Sequence, residues 1–122
     1  LVIFSICFTL VMLEISLRFA GALLLAIQEY RNDRLPGKGN LYKILCIGES
    51  TTMSGGEHSY PRQLENILNE KRDNINFQVI NKGVSGITTT GIVDRIDTVL
   101  DKYMPDMVIV MMGINDAKVF LP

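Results

Sequence analysis

The stretch KILCIGESTTMSGG, from Lys43 to Gly56, contains the transition that decides the fold. A short apolar run ends at Gly48 and is followed at once by an acidic residue and a cluster of hydroxyl side chains. Such a run is typical of a strand that is covered on both faces, as in a parallel sheet. The hydroxyl cluster leaves three interpretations of Ser50 open: a nucleophile, a residue of a phosphate loop, or a helix cap.

The segments that follow alternate between helix and strand patterns. Apolar side chains recur at helical spacing in YPRQLENILNEKR (60–72) and TTTGIVDRIDTVLDKY (88–103), and apolar runs of strand length occupy NFQVIN (76–81) and PDMVIVMMG (105–113). The order strand, helix, strand, helix, strand predicts an α/β fold with a parallel sheet and right-handed crossovers.

Small, hydroxyl or amide residues follow each predicted strand. They occur in GEST (48–51), NKGVSGITT (81–89) and GIND (113–116). The carboxyl ends of parallel strands lie at one edge of the sheet, and ligands bind there near a switch in strand order. We therefore expect these loops to form a site at that edge.

Several classes of site are disfavoured by the sequence. Neither Gly48 nor Gly83 begins a phosphate-loop or dinucleotide fingerprint, and the G-x-S-x-G elbow is absent. The charge is nearly balanced, with 12 basic and 13 acidic residues, which argues against a nucleic-acid partner. One histidine and two distant cysteines do not supply a zinc site, so we expect no metal, and we predict that Cys7 and Cys46 are small buried hydrophobic residues.

Taken together over residues 42–116, the motifs resemble the SGNH, or GDSL-type, hydrolase family. IGEST is similar to its first block, INKGVSGITT to its second and MMGIND to its third. The resemblance implies a partial flavodoxin-like domain of three layers with a parallel sheet, and no metal or organic cofactor. It implies that Ser50 is the nucleophile, and that the main-chain N–H groups of Ser50 and Gly86 and the side-chain amide of Asn115 form the oxyanion hole.

The sequence departs from the family pattern in two places. The first block usually reads Gly-Asp-Ser, whereas Glu49 precedes the serine here. The Asp-x-x-His block that carries the family's catalytic base is absent, so we expect a truncated domain that is inactive or nearly so on its own. We interpret His58 as a loop residue, and we expect Asp116 to have a structural role.

The N-terminal residues form a long apolar stretch. We predict a transmembrane and juxtamembrane helix over 1–28, a linker over 29–40, and the hydrolase-like domain over 41–122. Glu14 and Arg18 are four residues apart and can pair near one membrane interface. A cleaved signal peptide, suggested by Ala20–Ala22, and a buried helix of a soluble core are the alternatives.

Together with the apolar N-terminal stretch, the family resemblance implies a single-pass, membrane-anchored serine esterase. Its substrate would be an acyl or acetyl ester of a small molecule or carbohydrate, and its hydrolase domain would lie outside the cytoplasm. A membrane-tethered binding module without catalytic activity and an acyltransferase that uses the same serine are the alternatives.

Overall fold

The computed structural model describes residues 1–33, 40–71 and 74–119. The chain divides into a helical unit, Leu1–Arg34, and an α/β unit, Leu35–Pro122. We describe each unit by itself.

The helical unit consists of helix α1, Val2–Asn32. By length and composition α1 is apolar enough to cross a membrane, and a signal sequence near an N-terminus meets the same criteria. The predicted pairing is confirmed, since Arg18 Nε lies 2.8 Å from Glu14 Oε1. Cys7 is exposed on this helix, so the prediction that it is buried is wrong.

Helix α1 continues four residues beyond the predicted boundary at residue 28. Its last turn therefore covers the beginning of the segment that we assigned to a linker. Residues 34–39 of that segment lie outside the described residues, and the domain boundaries stay a prediction.

The α/β unit has the predicted alternation of strands and helices. A short helix, α2, and two 3-10 turns were not predicted. In chain order the elements are β1 Asn40–Gly48, α2 Ser50–Met53, a turn Gly56–His58, α3 Tyr60–Glu70, β2 Ile75–Gly83, α4 Thr89–Tyr103, β3 Met107–Met111 and a turn Asp116–Val119.

The three strands form a parallel sheet in the order β2-β1-β3. Gly48 is opposite Gly83 on one side and Met111 on the other, so the strands end at the same level. After β1 the chain forms β2 on one side of it and then crosses to form β3 on the other side. The strand order therefore switches at the end of β1. The residues after all three strands consequently begin at one edge.

Helices cover both faces of the sheet, as predicted for a domain of three layers. Alternate side chains of β1 point to opposite faces. Leu45 and Ile47 belong to one buried cluster with side chains of α4, whereas Ile44 and Cys46 belong to another with side chains of α3. Cys46 is fully buried, as predicted.

Glycines at the ends of β1 and β2 allow α2 to lie directly on the sheet edge. A Cβ atom at Gly48 would overlap the side-chain oxygen of Thr52, and one at Gly83 would overlap the main-chain nitrogen of Met53. The two glycines therefore determine how closely α2, which begins at Ser50, approaches the strands.

Replacing Gly83 by alanine is expected to lower the free energy of unfolding by about 1–3 kcal/mol, because the new methyl group meets main-chain atoms that must move. Urea denaturation followed by circular dichroism measures this change. Thr90→Ala, at an exposed position of α4, is the control and should change the value by no more than about 0.5 kcal/mol. Equal effects of the two substitutions would contradict the close approach of α2.

Candidate active site

Ser50 is the first residue of α2, immediately beyond the end of β1. Glu49 occupies the N-cap position, and α2 has no side-chain capping hydrogen bond, so Ser50 does not act as a helix cap. The Ser50 side chain is half-buried. Within residues 1–33, 40–71 and 74–119, nothing accepts a hydrogen bond from its hydroxyl or its main-chain N–H.

Gly86 lies in the loop after β2. Its φ angle of 73° falls in the left-handed region, which favours glycine. The loop is attached to the end of β1, because Val84 N donates to Gly48 O at 2.9 Å. Gly86 is exposed, and no acceptor for its main-chain N–H occurs in the described part of the chain.

Asn115 lies in the loop after β3 and is 8% exposed. Its Nδ2 donates to Ile87 O at 3.0 Å. This bond joins the loop after β3, the third loop, to the loop after β2, which carries Gly86. A carboxamide nitrogen carries two hydrogens. No described residue accepts the second hydrogen of Nδ2, which is therefore available for another acceptor.

Glu49 connects the first loop to the third. Its side chain is 2% exposed, and Oε1 accepts hydrogen bonds from Gly113 N at 2.7 Å and from Asn115 N at 3.4 Å. The longer acidic residue at this position thus reaches across the sheet edge to the main chain of the loop that carries Asn115.

Asp116 connects the third loop to the start of α4. Its Oδ1 accepts from Thr89 N at 2.8 Å, and its Oδ2 accepts from Thr89 Oγ1. These bonds satisfy a main-chain donor in the first turn of α4, where helices leave N–H groups without partners. The Thr89 side chain, followed by its main-chain N–H, lowers the pKa of the Asp116 carboxyl. The contacts agree with a structural role for this residue.

The stabilisation that Asp116 provides is expected to depend on pH. Because its pKa is lower in the folded chain than in the unfolded chain, the stabilisation is present above the unfolded value of about 3.9 and is lost as the pH falls through the folded value. The melting temperature of Asp116→Asn should therefore lie below that of the wild type at pH 7, and the gap should narrow towards pH 2. Asp94→Asn, at an exposed position of α4, is the control. A gap that stays constant from pH 7 to pH 2 would contradict this role.

Asn81 and Thr52 attach α2 to the second strand. Asn81 Nδ2 donates to Thr52 O at 2.9 Å, while its Oδ1 accepts from Gly83 N at the same distance. Sequence reasoning missed the roles of Asn81 and Glu49. The available signal was their polarity and position: Glu49 directly follows β1, and Asn81 lies near the end of β2.

His58 lies in the turn Gly56–His58 and is exposed. Its main-chain N donates to Gly55 O, and its carbonyl accepts from Gln63 Nε2 at 2.6 Å. None of the described hydrogen bonds involves its imidazole. This environment agrees with the interpretation of His58 as a loop residue.

The structure thus brings the three predicted site residues onto loops that are bonded to one another. Ser50 is linked to the third loop through its neighbour Glu49, and Asn115 is linked through Ile87 to the loop of Gly86. Among the described residues, nothing accepts the main-chain N–H groups of Ser50 and Gly86 or the second amide hydrogen of Asn115, and these are donors of the kind that stabilise a negatively charged oxygen. The arrangement can therefore serve acyl transfer, while the role of each residue stays a prediction.

The chain is similar to a family of known hydrolases. Residues 46–121 match the GDSL-like Lipase/Acylhydrolase family. An arylesterase of Vibrio mimicus is 35% identical over 80 residues, which cover 62% of this chain and 38% of the relative.

Two solved esterases have a similar fold. AlinE4, an SGNH-hydrolase family esterase, superimposes with a TM-score of 0.55 at 34% identity, covering 72% of this chain and 47% of that one. The psychrotrophic esterase EstA from Pseudoalteromonas sp., in a structure inhibited by monoethylphosphonate, gives a TM-score of 0.54 at 26% identity and covers 66% and 44%. The chain spans less than half the length of each of these relatives.

Proposed function

We propose that this chain, which belongs to the GDSL-like lipase/acylhydrolase family, provides the nucleophile and the oxyanion hole of a serine ester hydrolase. The observation that carries the proposal is the hydrogen bonding between the loops after the three strands. Val84 N to Gly48 O, Gly113 N to Glu49 Oε1, and Asn115 Nδ2 to Ile87 O fix these loops against one another at one sheet edge.

In the proposed reaction, Ser50 Oγ attacks the carbonyl carbon of the ester and transfers its proton to a general base. The carbonyl oxygen becomes negatively charged and accepts hydrogen bonds from the N–H groups of Ser50 and Gly86 and from Asn115 Nδ2. The tetrahedral intermediate expels the alcohol, which takes up the proton, and leaves an acyl group on Ser50. Water then attacks this acyl-enzyme and releases the acid.

The identity of the general base is proposed from the family pattern alone. In that pattern it is the histidine of an Asp-x-x-His block, which this sequence does not contain. We propose that these 122 residues are the N-terminal part of the enzyme, inactive or nearly so without that block.

We further propose that the substrate is an acyl or acetyl ester of a small molecule or a carbohydrate, and that α1 anchors the protein in a membrane as a single span. The length and apolar composition of α1 support the anchor. We also propose that the hydrolase domain lies outside the cytoplasm, as members of the family with such an anchor would be placed.

The test is ester hydrolysis by the product of the complete gene. We expect it to release p-nitrophenol from p-nitrophenyl acetate, and to leave p-nitrophenyl phosphate unhydrolysed. The heat-denatured protein gives the background rate of each reaction. Acetate hydrolysis at that background rate would contradict the proposed function. Extraction of membranes with alkaline carbonate tests the anchor separately, since a spanning helix stays in the pellet.

A further inference from the structure

Glu49 is a buried acidic residue beside the candidate nucleophile, and the proposed reaction does not use it. It directly precedes Ser50 and is 2% exposed. Its Oε1 accepts hydrogen bonds from Gly113 N at 2.7 Å and Asn115 N at 3.4 Å. Burial of an acidic side chain is costly unless hydrogen bonds satisfy it, so these contacts account for its location.

The two bonds connect the residue that precedes Ser50 to the loop after β3, which carries Asn115. The main chain of Glu49 leads directly to the N–H of Ser50, and its side chain holds the main chain of Asn115. Asn115 Nδ2 in turn donates to Ile87 O at 3.0 Å. Asn115 is thus held at two points: its carboxamide bonds Ile87 O, and its main-chain N–H bonds Glu49, the residue that directly precedes Ser50.

We propose that Glu49 is a positioning residue, which places the carboxamide of Asn115 relative to the N–H of Ser50 through the main chain of Gly113 and Asn115. This inference rests on the proposed function. Oxyanion donors act within 2.7–3.1 Å of the charged oxygen, so a shift of the third loop weakens the bond formed in the transition state. The substrate binds before that charge develops, so the loss is expected in kcat rather than in KM.

The experiment measures kcat and KM for p-nitrophenyl acetate in the product of the complete gene. Glu49→Ala and Glu49→Met both remove the acceptor, and methionine fills most of the space that the glutamate side chain occupies. Each is expected to lower kcat about 10- to 100-fold while KM changes no more than about twofold. Glu49→Gln keeps an oxygen that can accept both N–H groups and should restore most of the lost kcat. Glu49→Met keeps the proposal testable if the alanine variant does not fold.

A double-mutant cycle with Asn115→Ala separates positioning from general support of the fold. If Glu49 acts through Asn115, then Glu49→Met should cause little further loss of kcat once the carboxamide is gone. A full additional loss in the Asn115→Ala background, or an unchanged kcat in Glu49→Met alone, would overturn the proposal. If instead Asn115→Ala itself leaves kcat unchanged, the proposed oxyanion hole fails along with the inference that depends on it.

Discussion

Replacing Ser50 by alanine is expected to lower kcat/KM for p-nitrophenyl acetate at least about 1,000-fold, because the acyl-enzyme cannot form without the nucleophile. Ester hydrolysis by the product of the complete gene measures the effect. The fold should be unaffected, since none of the described hydrogen bonds involves the Ser50 hydroxyl. Circular dichroism and the melting temperature check this point.

Ser54→Ala is the matched control for Ser50→Ala. Ser54 is exposed at the C-terminal end of the same short helix, and its substitution should change kcat/KM no more than about twofold. A Ser50→Ala variant that retains wild-type turnover would remove Ser50 from the mechanism.

Replacing Asn115 by alanine is expected to lower kcat about 100- to 1,000-fold, which is the usual cost of losing one oxyanion donor. The variant also loses the bond from Nδ2 to Ile87 O, so a decrease in stability of about 1 kcal/mol should accompany the change. Steady-state kinetics gives kcat, and urea denaturation gives the stability.

Asn66→Ala is the control for Asn115→Ala. Asn66 is exposed on α3, so both kcat and stability should stay close to the wild-type values. A kcat for Asn115→Ala within about twofold of the wild type would show that the carboxamide does not stabilise the transition state.

The strands and the two longer helices could be predicted because each carries a local pattern. Apolar runs that end at Gly48, and side chains at helical spacing such as Leu64 and Leu68, follow the period of the element that contains them. The aligned ends of the strands were also predicted in outline, since parallel strands share an edge.

The contacts of Glu49 and Asn81 could not be predicted. Glu49 bonds the main chain of Gly113, and Asn81 bonds the main chain of Thr52. Both partners are distant in sequence, and whether these bonds can form depends on the register of the strands. The exposure of Cys7 was also wrongly predicted, because apolar composition favours burial whether the partner is protein or lipid. Composition alone does not distinguish these two environments.

The most direct test of the account is covalent trapping of the nucleophile. The product of the complete gene is treated with a p-nitrophenyl alkylphosphonate, and the modified peptide is identified by mass spectrometry. The account predicts one phosphonyl group per chain, on Ser50, with an equal amount of p-nitrophenol released. A phosphonyl group on Ser54, Ser59 or Ser85, with Ser50 unmodified and activity lost, would contradict it.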